Sequence, residues 1–135
     1  MPAILCDYDV QGQLKVLLSI WTSSGWIEIW QMLDCQIHTF PGLGLPIDMA
    51  DSNLWELCQT RQFFLLTGNR NAKSADSLET ASRQLNRPDS LPVITIADEK
   101  RIMQDREYAK RVASQIIEIL YDIDSIRGTR RLFVP

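Results

Sequence analysis

The chain is poor in the residues from which metal fingers and disulfide scaffolds are built. It has three cysteines, Cys6, Cys35 and Cys58, and a single histidine, His38. No CxxC pair occurs, and a structural zinc site needs about four clustered Cys/His ligands, so that chemistry is excluded. An odd number of widely spaced cysteines makes no disulfide framework, and a chain this long does not need one. Each cysteine stands among apolar neighbours and reads as a small buried hydrophobe. A Cys–His nucleophile would need one of them to meet His38, which nothing in the spacing favours. Long apolar runs are missing too: none approaches the roughly 20 residues of a spanning helix. The opening residues MPAILCDYDV carry no basic stretch and meet acid early, which speaks against a secretory leader. Gly42-Leu43-Gly44 and the isolated Gly68 fit neither G-x-x-x-x-G-K-[ST] nor G-x-G-x-x-G, and no G-x-S-x-G elbow occurs. Nucleotide-binding loops and acyl transfer are thereby set aside. A net charge of −3 also lacks the positive surplus of a bulk nucleic-acid binder. A soluble, cytoplasmic protein with no membrane segment is expected.

What the chain does have is ordinary globular composition, 45% hydrophobic and 23% charged over 135 residues, enough for one domain over 1–135. Short apolar runs alternate with longer amphipathic ones. Strands are expected over 3–6, 36–40, 63–67 and 93–96, with an edge strand over 131–134. Helical spacing links Leu14, Leu17, Leu18 and Trp21, and then Trp26, Ile27, Trp30 and Leu33, a serine of 23–24 being able to cap the second. Further helices are expected from Asp51 as N-cap through Leu54, Trp55 and Cys58, over 77–85, and from Asp98 as N-cap along Ile102 to Leu120. Strand and helix in alternation give an α/β fold, a three-layer α/β/α sandwich around a mostly parallel sheet of four to five strands.

In such sheets ligands bind outside the carboxyl ends of the strands. Asp7 and Asp9 follow the first strand, Asp51 follows the loop after the second, Asn69, Arg70 and Asn71 follow the third, and Asp98 follows the fourth. Oxygen ligands gathered on one edge suit a hard cation such as Mg²⁺ or Mn²⁺. Asp51 and Asp98 also have a plain structural role open to them as helix caps, and Asn69 and Asn71 as turn formers, whereas Asp7 and Asp9 directly end a buried strand and begin no obvious cap.

At these residues the chain resembles the PIN-like proteins. Ile4-Leu5-Cys6-Asp7-Tyr8-Asp9-Val10 is similar to their apolar first strand ending in acid. Asp51-Ser52-Asn53-Leu54-Trp55-Glu56-Leu57-Cys58 looks like their second acidic element, and Phe64-Leu65-Leu66-Thr67-Gly68-Asn69 resembles the strand that ends in Thr-x-Asp. The resemblance spans most of residues 3–98 and implies a single PIN-like domain with a Mg²⁺- or Mn²⁺-dependent ribonuclease site. Asp7, Asp51 and Asn69 would be its catalytic set, with Asp9 completing the cation ligands and Arg70, Asn71 and Asp98 meeting substrate. Asn69 departs from the pattern, since an amide oxygen brings no net charge to the ion; Asp9 or Asp76 would have to compensate. The alternative is a non-catalytic PIN-like interaction module.

For partners, the acidic surplus lies in residues 1–98, whereas 99–135 carry more Lys and Arg than acid. Lys100, Arg101, Arg106, Lys110, Arg111, Arg127, Arg130 and Arg131 could hold RNA; paired with Glu99, Asp105 and Glu107 they are a solvated helix face. Of the four tryptophans, Trp26 and Trp30 share a helix face, by default a core stripe and otherwise a partner surface. A homodimer or a cognate protein partner is the corresponding expectation.

Overall fold

The computed structural model describes residues 2–68 and 85–135. Its strands are β1 (Ala3–Cys6), β2 (Gln36–Thr39), β3 (Phe64–Gly68), β4 (Val93–Ile96) and β5 (Arg131–Val134). They form one sheet in the order β2-β1-β3-β4-β5, and every pairing is parallel. The three inner strands, AILC, FLLTG and VITI, are buried along their whole length. Continuous burial is why they read as unbroken apolar runs, since a parallel sheet is covered on both faces. The outer strands QIHT and RLFV are only partly covered and mix polar with apolar residues.

Alternation along the strands sends successive side chains to opposite layers. On one side Ile4, Cys6, Phe64, Leu66, Ile94 and Ile96 pack against α1 (Gln11–Trp21), through Leu14 and Leu17, and against the helix Arg106–Tyr121, through Val112, Ile116 and Leu120. On the other, Leu5, Leu65 and Val93 pack against Phe40, Leu54, Trp55 and Cys58. The expected α/β/α sandwich is therefore the observed one, with a five-stranded all-parallel sheet. Among the described residues no helix is long and apolar enough to cross a membrane.

The remaining helices are α2 (Ile27–Leu33), α3 (Phe40–Leu43), α4 (Asp51–Arg61), α5 (Glu99–Ile102) and α7 (Ile123–Ile126), with Arg106–Tyr121 as α6. Trp21 is fully buried, stacks on Trp30 at 4.5 Å between centroids and donates its indole N–H to the Ala113 carbonyl. Trp26 and Trp30 pack onto the same core, so the tryptophan stripe is interior packing.

Several boundaries differ from expectation for local reasons. Phe40 leaves β2 to begin α3, where the Thr39 hydroxyl caps the Gly42 N–H and Pro41 sits in the first turn. Ser23 caps nothing at α2; its hydroxyl donates back to the Ile20 carbonyl, and Trp26 takes the cap position. Ala50, not Asp51, is the N-cap of α4, and Asp51 lies in the first turn. Asp98 caps only the short α5; the long helix is capped by Asp105, whose Oδ1 accepts from the Glu107 and Tyr108 N–H groups. Both aspartates can cap, and hydrophobic spacing alone cannot choose between them. The helix expected over 77–85 lies outside the described residues except for Leu85.

Candidate functional site

Strand order fixes where a crevice forms. The connection from β1 leads outward to β2, whereas that from β3 leads the other way to β4, so β1 and β3 are neighbours at a topological switch point. Asp7 stands at the carboxyl end of β1 at this point, its residue only 5% exposed. Its backbone N–H continues the ladder by donating to the Leu66 carbonyl at 2.9 Å. Its side chain is gripped on both oxygens. Oδ1 accepts from the Tyr8 N–H at 2.8 Å, capping the 3₁₀ turn Tyr8–Val10, and Oδ2 accepts from the Thr67 hydroxyl at 2.8 Å. The hydroxyl of a buried threonine on β3 thus ties the carboxylate of β1 across the switch point.

Next to Thr67 comes Gly68. A Cβ there would stand 3.1 Å from the Glu99 carboxyl carbon, 3.3 Å from its Oε2 and 3.2 Å from Val10 Cγ1. The lack of a side chain at 68 therefore lets the Glu99 carboxylate lie over the end of β3. Glu99 heads α5, and its backbone carbonyl accepts from Gln13 Nε2, which ties the end of β4 to α1. At the ends of three adjacent strands Asp7 is thus bonded to Thr67, and Glu99 lies against the neighbouring Gly68. Glu99 escaped the sequence reading, which gave the strand-end role to Asp98, one residue earlier; the acidic pair at 98–99 was the signal.

The other expected site residues fall as follows. Asp9 is exposed in the 3₁₀ turn, and Asp51 is half-buried in the first turn of α4. Asp98 is exposed and occupied as a cap, its Oδ1 accepting from the Arg101 N–H. Asn69, Arg70, Asn71 and Asp76 lie outside the described residues. Among the described residues no three His, Cys, Asp or Glu side chains converge as a metal-binding group.

Burial, reinforced by the charge of Asp7, pushes the Cys6 and Cys58 thiols up to about 12, and burial does the same for Cys35. A protonated thiol is a poor nucleophile. His38 is engaged elsewhere, packed on Phe63 with ring centroids 4.7 Å apart and its Nε2 buried without a hydrogen-bond partner among the described residues.

The surroundings are mixed in character. Tyr8 is 42% exposed directly beside Asp7. A hollow of about 740 Å³ after β4 is lined by Asp98, Lys100, Arg101, Gln104, Asp105, Arg106 and Glu107. Within it Arg101 pairs with Asp105 at 3.2 Å, and nearby Lys110 pairs with Glu107 at 3.4 Å, so part of the basic face is neutralised locally. Compared with protein-family profiles, characterised proteins and solved structures, the chain matches none.

Proposed function

We propose that the chain is a cytoplasmic, divalent-cation-dependent phosphodiesterase acting on RNA, with Asp7 as the principal cation ligand and Glu99 as the second. The observation that carries this reading is the buried Asp7 carboxylate at the crevice between β1 and β3. Burying a carboxylate is costly unless it is hydrogen-bonded. The Tyr8 N–H and the Thr67 hydroxyl offset that cost and fix its orientation.

The donor chemistry fits Mg²⁺ or Mn²⁺. Such an ion is commonly held by one or two protein carboxylates and completes its shell with water and substrate phosphate. A bound ion would supply a water of lowered pKa and stabilise charge on the phosphoryl oxygens. The chain's own residues orient the reactants: Asp7 and Glu99 hold the ion, exposed Tyr8 offers a face on which a base stacks, and Lys100 and Arg106 meet the phosphates. Asp51, Asp9 and Asn69 as further ligands, and Arg70, Asn71 and Asp98 as substrate contacts, enter the proposal through the PIN-like resemblance.

One observation favours a second reading, a non-catalytic PIN-like module that binds a protein partner. Both Asp7 oxygens already serve the fold, one as a cap and one as a cross-strand tie. Cleavage of single-stranded RNA by the purified chain with Mn²⁺ separates the two. The enzyme reading expects Mn²⁺-dependent cleavage that falls by roughly 100-fold or more in Asp7→Asn. Equal cleavage by both proteins counts against the Asp7 site, and none by either supports the module instead.

A further inference from the structure

We infer that Gln13 and Tyr108 are positioning residues that hold the Glu99 carboxylate at the end of β3. The inference rests on the proposed reading of Glu99 as the second cation ligand. Glu99 opens α5, a helix of four residues. So short a helix cannot fix its own direction, because a first turn orders several residues for a single hydrogen bond. Its start is held from outside instead. The Asp98 N–H donates to the Tyr108 hydroxyl oxygen at 2.9 Å, and the Glu99 carbonyl accepts from Gln13 Nε2 at 3.1 Å. One bond fixes the peptide group before Asp98 and the other the peptide group after Glu99. The residue that carries the carboxylate is therefore bracketed.

Both holders are themselves anchored. Tyr108 is 4% exposed, and its backbone N–H donates to Asp105 Oδ1 at 3.2 Å. The guanidinium groups of Arg101 and Arg111 lie 4.8 and 5.6 Å from the centre of its ring. Gln13 belongs to α1, whose neighbouring Leu14 and Leu17 are packed in the core. The start of α5 is thus held between α6 and α1, two helices that cover the same face of the sheet.

Gly68 supplies the third side. A Cβ there would stand 3.1 Å from the Glu99 carboxyl carbon, so the carboxylate lies against bare backbone with little room to move towards β3. A shift of the Glu99 backbone would displace its oxygens from this place. Hydrogen bonds that orient a metal ligand contribute to affinity although they never touch the ion. Gln13 and Tyr108 act in this way, through the backbone on either side of Glu99.

Mn²⁺ binding by the full chain, measured by titration calorimetry, tests this. The proteins compared are wild type, Glu99→Gln, Gln13→Leu, Tyr108→Phe and each of the last two combined with Glu99→Gln. Gln13→Leu and Tyr108→Phe should each weaken Kd by roughly tenfold or more, the scale for groups that orient a metal ligand. In the Glu99→Gln background neither should weaken binding further, since each acts through that carboxylate. The two changes lie on different helices, so failure of one variant to fold leaves the other to decide. A loss of equal size in both backgrounds marks a general structural effect and overturns the inference. So does wild-type affinity in both single variants while Glu99→Gln binds weakly. If wild type binds no Mn²⁺, or Glu99→Gln binds it as wild type does, the cation reading of Glu99 fails and the inference falls with it.

Discussion

The contact on which the site turns is a single hydroxyl. Thr67 is fully buried and donates to Asp7 Oδ2 at 2.8 Å, so removing its oxygen takes a donor from a nearly buried carboxylate. Thr67→Val keeps the shape and deletes the donor. Chemical denaturation should show a loss of about 1–3 kcal/mol, the range for a buried acceptor left unsatisfied. No loss would mean that water or a neighbour takes the place of the hydroxyl. The sequence showed Asp7 at the end of an apolar strand and placed Thr67 in a motif, but not their bond. The partners are 60 positions apart, and only the β1–β3 register brings them together. Glu99 was hidden for a related reason. Its nearness to Gly68 depends on a glycine in one strand and a helix start after another.

At the scale of elements, apolar pattern located strands and helices well, because continuous burial in a parallel sheet leaves unbroken runs of Ile, Leu, Val and Phe. Helix starts were less legible. Asp51, Asp98 and Asp105 are all competent caps, and tertiary packing decides which one each helix uses. Asp105 has the strongest claim: the Tyr108 N–H, and then Arg101, hold its carboxyl below its ordinary 3.8. A depressed carboxyl stabilises the folded state above the unfolded pKa, and that contribution is lost as pH falls through the lower folded value. Asp105→Ala should therefore lower the melting temperature at neutral pH. The gap from wild type should close on acidification below about 3.8. Thermal melts across that range check it, and a gap that stays constant with pH would place the effect outside the carboxylate.

For the whole molecule, a five-stranded parallel sheet with the order β2-β1-β3-β4-β5 places its crevice at Asp7. Two of the acidic residues now have a location, since Asp7 and Glu99 follow β1 and β4, the strands on either side of β3, and the hollow after β4 carries Lys100, Arg101 and Arg106. A formal charge of −3 is thus compatible with an RNA partner. Strand order was the part of the site that sequence could not supply, because periodicity reveals strands without saying which lie side by side. The central claim is that this edge holds a divalent cation through Asp7. Its most direct test is the thermal melt of wild type and Asp7→Asn with increasing Mn²⁺. A ligand bound only by the folded state raises the melting temperature, by several degrees once its concentration is about 100 times Kd. The account predicts that rise in wild type and its absence in Asp7→Asn. Melting temperatures that do not respond to Mn²⁺, or that rise equally in both proteins, would contradict it.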